Sequence, residues 1–257
     1  MINAFKKLAL AISYVTCLPC GPESGDQQQD LSGLAKYLPV VGTIIGAALL
    51  LLYLACSRFN AANWLIAFVL TVGWIGLTRG IHMDGLMDAA DGLLSHRSRP
   101  EMLKIMQDSR VGNFGAIAGF LVIIAKIIAL ATLRPELAIP ALLSIPAWAR
   151  WVEVYAITCF PYAREEGMGK IWHETSSILD LAGAAVVPVL VSTGICIYYG
   201  DYILALPAVL TVLCGISFSH RVNEVLGGQT GDTYGASVEI SEAAGLILVA
   251  ILQDYLF

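Results

Sequence analysis

The stretch His82-Met83-Asp84-Gly85-Leu86-Met87-Asp88-Ala89-Ala90-Asp91-Gly92 places three aspartates in a chain whose other segments are mostly long and apolar enough to cross a bilayer. On a helix turning about 100° per residue, steps of four and then three keep Asp84, Asp88 and Asp91 within roughly 60° of one another, as one acidic stripe. A carboxylate at mid-membrane costs about 2.5 to 3.5 kcal/mol on insertion scales, so three unpaired ones would cost about 8 to 10, comparable with the stability of a whole domain. Something must compensate them, and a divalent cation with access to water is the simplest candidate.

Working outward from that stripe, hydrophobic residues make up 57% of the 257 residues and charged ones 14%, with a mean hydropathy of +0.73. This composition selects an all-α, polytopic membrane protein. Seven stretches reach spanning length: 34 to 56, 61 to 80, 112 to 133, 136 to 160, 178 to 199, 201 to 219 and 234 to 257. Ahead of them, residues 1 to 18 set Phe5, Leu8, Ala9 and Ile12 opposite Lys6 and Lys7, the pattern of a helix lying in the membrane interface. The apolar run there is short and no small-residue cleavage site follows it, so no cleavable signal is expected. With no internal repeat, residues 1 to 257 read as one integral-membrane domain.

Basic residues should collect on the cytoplasmic side of each crossing. With the N-terminus inside, Lys6, Lys7, Lys36, Arg79, Arg97, Arg99, Lys104, Arg110, Arg164, Lys170 and Arg221 fall on or beside cytoplasmic segments, while Arg58 and Arg134 face outward and Lys126 and Arg150 lie within spans. The polar segments 80 to 111, 161 to 177 and 220 to 235 are thereby expected on one cytoplasmic face of a bacterial-type inner membrane. The net charge of -5 and the lack of a basic patch argue against a nucleic-acid partner. The six cysteines form neither a four-ligand zinc spacing nor a disulfide framework, and Cys17-Leu-Pro-Cys20 stands outside any βαβ context, so ordinary reduced thiols are expected. Residues 20 to 33, with Gly, Pro, Ser and three successive Gln, read as a flexible polar connection.

Pro100 opens a short amphipathic helix with Met102, Leu103, Ile105 and Met106 on its apolar side. It leads to Asp108-Ser109-Arg110-Val111-Gly112-Asn113-Phe114-Gly115, where an acid and a guanidinium stand beside glycines that let backbone amides approach a ligand. Arginine offers phosphoryl oxygens a bidentate fork. The alternative is that Asp108 and Arg110 simply pair with each other. A second acidic cluster, Gly227-Gly228-Gln229-Thr230-Gly231-Asp232-Thr233-Tyr234-Gly235-Ala236 with Glu239 and Glu242, reads as a tight loop feeding a helix whose first carboxylates share a face. Dipole partnership at a helix start is the plainer reading of those two glutamates. Lys126 and Arg150, charges inside apolar stretches, are expected to face a cavity or a partner, and Lys126 could pair with a carboxylate. Pro161-Tyr162-Ala163-Arg164-Glu165-Glu166-Gly167 breaks the fourth span and puts Arg164 on the side of the acids. His82 and His173 are candidate bases, although on a continuous helix His82 points about 160° away from Asp84.

Hard oxygen ligands without a cysteine or histidine cage favour Mg²⁺, which binds through one or two carboxylates plus substrate phosphates. A diphosphate held between acidic clusters and arginines, with an incoming hydroxyl aligned on it, is the arrangement of phosphoryl transfer. Rival readings are a membrane prenyltransferase using an aspartate-rich motif, a CDP-alcohol phosphotransferase, whose D-G-x-x-A-R run is absent here, and an ion-coupled carrier, whose acids would lie nearer mid-span.

Four segments, the three acidic and glycine-rich runs quoted above and Pro161-Tyr162-Ala163-Arg164, resemble in order and interval those of the adenosylcobinamide-GDP ribazoletransferase, or cobalamin synthase, family. Cys17 and Cys20 around Leu18-Pro19 depart from that family's pattern. The resemblance implies the last assembly step of coenzyme B12: α-ribazole or its 5′-phosphate attacks the phosphorus linked to cobinamide, and GMP leaves. It implies Mg²⁺ as cofactor, with Asp84, Asp88 and Asp91 on metal and diphosphate, Asp108 in support, and Arg110 and Arg164 on phosphate oxygens. Asp232, Glu239 and Glu242 would serve a second metal or the nucleotide loop, Gly112, Gly228 and Gly231 would line the substrate, and His82 would act as base. Membrane lipid is the expected surroundings, and a homo-oligomer is compatible with the sequence.

Overall fold

The computed structural model describes residues 4–21 and 32–256, and most of the polar connection read at 20 to 33 lies outside them. The described residues form an all-helical bundle. Its helices are α1 (Ala4–Val15), α2 (Leu38–Arg58), α3 (Asn63–Thr78), α4 (Ile81–Leu93), α5 (Arg99–Ile105), α6 (Asn113–Thr132), α7 (Pro135–Cys159), α8 (Met168–Thr175), α9 (Ile178–Ala184), α10 (Val186–Tyr199), α11 (Leu206–Leu226) and α12 (Gly231–Leu256).

Six helical segments are long and apolar enough to cross a membrane: Ala35–Arg58, Asn113–Thr132, Pro135–Cys159, Ile178–Tyr199, Tyr202–Leu226 and Gly231–Tyr255. The span expected at 61 to 80 is realised differently. Its helix α3 stops at Thr78, and α4 leaves at 90°. Two successive left-handed residues, Arg79 at φ 54° and Gly80 at φ 66°, make the corner. The Arg79 guanidinium donates from Nη2 to the carbonyls of Ser13 and Tyr14, both at 3.0 Å, which ties the end of α1 to that corner. A return crossing between Arg58 and Asn113 is needed for α6 to run from the acidic side, and α3 supplies it. The helix α4 therefore cuts across the bundle and is not one of the spanning helices.

The direction of α6 and α12 is shared. Both begin beside α4, and at their far ends Arg134 Nη2 meets Asp254 Oδ1 at 2.7 Å while Gln253 Nε2 donates to the Thr132 carbonyl at 2.9 Å. The segment read as a loop from 220 to 235 is shorter than expected. Helix α11 continues to Leu226, and α12 begins already at Gly231, so Gly231 and Gly235 belong to helix.

Helix α7 is the buried centre, and α2, α11 and α12 pack around it. Gly42 and Gly46, one turn apart on α2, press against the backbone of α7 at Pro146 and Leu142. Pro146 has no N–H, so the Leu142 carbonyl is released from its helical bond, and small residues let the facing helix come close to it. The outer faces carry Leu51, Phe68, Phe120, Leu190 and Leu213 exposed, as lipid contact requires.

Candidate active site

The acidic stripe is a helix as its spacing dictates, but its three carboxylates have different fates. Asp84 is exposed, Asp88 is half-buried and Asp91 is buried. Asp91 accepts from the amides of Gly112 at 2.7 Å and Gly115 at 2.9 Å, and so caps the start of α6. Neither glycine has space for a Cβ beside that carboxylate. Asp91 is thus spoken for by backbone, and Gly112 has already given its amide to the protein, against the expectation of a metal ligand and a substrate contact.

Asp84 and Asp88 instead meet the start of α12. A Cβ on Gly85 would lie 2.8 Å from the Asp232 carbonyl, and one on Gly235 would lie 3.1 Å from the His82 backbone, so two bare α-carbons allow α4 and α12 to touch. Burial raises the Asp88 carboxyl to about 6, helped by the neighbouring charges of Asp84, Asp232 and Asp91 and opposed by Arg164. Carboxylates that repel one another in this way form a place for a cation.

Arg164 is carried by the loop after α7 and pairs through Nη2 with Asp232 Oδ2, while its Nε is buried without a partner. That loop is fixed by a parallel bridge between Tyr162 and Gln229: Ala163 N–H donates to the Gln229 carbonyl at 2.7 Å, and Gln229 N–H donates to the Pro161 carbonyl at 2.8 Å. Gly228 lets the strands of this staple approach, since a Cβ there would sit 2.5 Å from the Pro161 carbonyl. The start of α12 is closed by reciprocal bonds between Thr230 and Thr233, and the Gln229 side chain donates to the Ser219 carbonyl at 2.8 Å.

Between these elements lies a cavity of about 270 Å³. Asp84, Asp232, Arg164, His82 and Glu153 give it polar walls, Gly231 opens onto it, and Tyr14, Trp172, Tyr162 and Tyr234 give it an aromatic side. The Tyr14 and Trp172 rings stand 5.2 Å apart, and those of Tyr162 and Tyr234 stand 6.4 Å apart. A wider, open groove of about 590 Å³ adjoins it and shares Arg164, with Arg99 and Gln107 on its rim.

Several expected site residues lie elsewhere. Asp108 and Arg110 form an exposed pair of their own, Nη2 to Oδ2 at 2.7 Å, which holds the Asp108 carboxyl down at about 2, and neither lines the cavity. Glu239 and Glu242 are fully enclosed deeper in the bundle. Lys126 bonds Glu239 at 2.7 Å and also bonds Glu242, and Arg150 bonds Glu242 from the other side. Two cations match two carboxylates, with Lys126 also 4.6 Å from the centre of the Trp74 ring. These glutamates, expected on a second metal or the nucleotide loop, are paired with protein cations and stand apart from the cavity. His82 is wedged beside this network, its Nδ1 3.4 Å from Arg150 Nη2 and its Nε2 3.5 Å from Glu153 Oε2.

Glu153 was not singled out from the sequence. Its signal was an acid three residues after Arg150 inside the stretch 136 to 160, where any charge needs a partner or a function. Among the described residues no group of three or more His, Cys, Asp or Glu could hold a metal ion by itself. The donor set fits the other way of holding magnesium, in which Asp84, Asp88 and Asp232 supply one or two oxygens and substrate phosphates and water complete the shell.

Comparison with known proteins bears on this site. The family model described as cobalamin-5-phosphate synthase matches residues 7–250. A protein of Desulfitobacterium hafniense (strain Y51) named adenosylcobinamide-GDP ribazoletransferase is 34% identical over 252 residues, covering 95% of this chain and 96% of its own length. Proteins of the same name from Thermoanaerobacter pseudethanolicus, 32% identical with 96% and 97% covered, and from Synechococcus sp. (strain ATCC 27144), 37% identical with 92% and 93% covered, are similar to it as well. No solved structure matches. The chain belongs to the cobalamin-5-phosphate synthase family.

Proposed function

We propose that this member of the cobalamin-5-phosphate synthase family is an integral-membrane adenosylcobinamide-GDP ribazoletransferase. It joins adenosylcobinamide-GDP to α-ribazole or its 5′-phosphate, gives adenosylcobalamin or its 5′-phosphate, and releases GMP. The observation that carries this reading is the convergence of Asp84 with the Asp232–Arg164 pair on one cavity that has an aromatic side, with the Asp88 carboxyl close enough beside it to feel the charges of all three.

The hydroxyl oxygen of the nucleoside attacks the phosphorus attached to cobinamide. The bond from that phosphorus to the bridging oxygen of the diphosphate breaks, and GMP departs with the electron pair. Arg164 holds phosphoryl oxygens, its unpartnered Nε and second nitrogen forming the fork that suits them. Asp84, Asp88 and Asp232 would hold Mg²⁺, which supplies positive charge to the diphosphate and its leaving group. The rings of Tyr14 and Trp172, tilted by 46° to each other, offer an aromatic surface to the base of ribazole. A corrinoid macrocycle cannot enter a space of about 270 Å³, so the cavity takes the nucleoside and phosphate end and the corrinoid stays in the open groove or beyond it. The distribution of basic residues supports a cytoplasmic position for this face.

The test is to supply purified protein in detergent with adenosylcobinamide-GDP, α-ribazole and Mg²⁺ and to measure GMP. Release of GMP that requires all three additions is expected. Folded protein that yields none overturns the reading.

A further inference from the structure

The proposed reaction needs a group to remove the proton of the incoming hydroxyl, and the reading of His82 as that base meets a chemical obstacle. A guanidinium is a donor in every state it adopts in proteins, so the Arg150 nitrogen 3.4 Å from His82 Nδ1 requires that ring nitrogen to be the acceptor. The ring proton is then on Nε2, on the side of Glu153. His82 has no lone pair free toward the cavity, and a second proton on Nδ1 would bring an imidazolium against Arg150.

Glu153 has the opposite character. It stands on α7, 5% exposed, with Oε2 buried and lacking a hydrogen-bond partner. His82 Nε2, at 3.5 Å, is too far to satisfy it. Three carboxylates, Glu153, Glu239 and Glu242, share the two cations Lys126 and Arg150, whose bonds to carboxylates go to Glu239 and Glu242 and leave Glu153 without a hydrogen bond. Glu153 also lines the cavity that holds Asp84, Asp232 and Arg164. On the same wall the Tyr234 hydroxyl is buried and unpartnered too.

Resting on the ribazoletransferase reading, we propose that Glu153 is the catalytic base, taking the nucleoside hydroxyl proton onto its carboxylate as the new oxygen–phosphorus bond forms, and that His82, held by Arg150, is a positioning residue for it. The proton later returns to water through the mouth of the cavity. The charged and titratable groups facing Glu153 are His82 from α4, Arg150 on its own helix, Tyr14 from α1, Tyr234 from α12, Tyr162 and Arg164 from the loop after α7, and Asp84 and Asp232 across the space.

The experiment uses the full chain in detergent, following GMP release from adenosylcobinamide-GDP and α-ribazole with Mg²⁺ across a pH series. For Glu153→Gln, kcat falls at least about a hundredfold, the usual contribution of a positioned base, with the KM for α-ribazole changed less than about threefold. With Mg²⁺ saturating at every pH, so that protonation of Asp88 does not limit the rate, the acidic limb of its kcat profile disappears. Glu153→Asp keeps the acidic limb and regains part of the rate. A Glu153→Gln protein with the wild-type profile and a rate within about threefold overturns the assignment. So does a folded Glu153→Asp protein with no acidic limb and a rate at least about a hundredfold below wild type, a result that stands by itself if Glu153→Gln fails to fold. Absence of GMP from wild-type protein overturns the reaction itself, an outcome separate from activity that ignores Glu153.

Discussion

The bare α-carbon of Gly85 rests on the backbone of Asp232, close enough that a methyl group there would come to 2.8 Å from the Asp232 carbonyl oxygen. This contact sets how near the carboxylates of α4 stand to the Asp232–Arg164 pair. Both partners are backbone atoms of packed helices, so neither yields as a flexible side chain would. Gly85→Ala is expected to push α4 off α12 and to reduce kcat by about a hundredfold, the effect of misplacing catalytic groups by about 1 Å. Kinetics at saturating substrate, with a thermal melt in detergent to confirm folding, check it.

Asp88 offers a direct reading of the cation. Asp88→Asn is expected to lower turnover at least about a hundredfold, with the loss only partly recovered at high Mg²⁺. Near-normal turnover would place the cation elsewhere.

The pH dependence has a definite sign. Because the Asp88 carboxyl is raised to about 6, it is ionised at neutral pH and takes up a proton as the pH falls through that value, when it ceases to be a ligand. The Mg²⁺ concentration giving half-maximal rate is expected to rise as the pH is lowered from about 7.5 to about 5.5. A flat Mg²⁺ requirement over that range would count against Asp88 as a ligand.

Asp91 should behave as a structural residue. Replacing it with Asn removes the charge that caps α6 and weakens two bonds, at a cost of about 1.5 to 3 kcal/mol. The melting temperature falls, and kcat falls less than in Asp88→Asn.

Lys126 is the counter-ion of two enclosed glutamates. Lys126→Met strands at least one of them and is expected to destabilise the protein by about 3 to 5 kcal/mol, seen as a lowered midpoint of unfolding in detergent. Adding Glu239→Gln to that variant recovers part of the loss.

These outcomes divide along the line between what is local and what is distant in the chain. The helical stripe of Asp84, Asp88 and Asp91 follows from spacing alone, as does the membrane class from composition. The diversion of Asp91 was not legible, because its partners are amides 21 and 24 residues away. The family resemblance offered Glu239 and Glu242 to a second metal or the nucleotide loop, and their place near a helix start offered them as dipole partners. The helix begins at Gly231, so they lie inside the bundle, where Lys126 reaches them from more than a hundred residues away. Asp108 and Arg110 followed the plainer of the two readings, since two residues of separation suffice for a pair. Arg164 was recognisable as a charge at a span end, but its partner Asp232 was set by a backbone bridge that no side-chain pattern encodes.

That bridge between Tyr162 and Gln229 has a mechanical consequence. The arginine loop and the glycine loop cannot hinge apart one at a time, because moving either drags the other and the start of α12 with it. The Arg164–Asp232 pair is thereby carried on one stiff unit, and its position against the cavity does not depend on either loop alone.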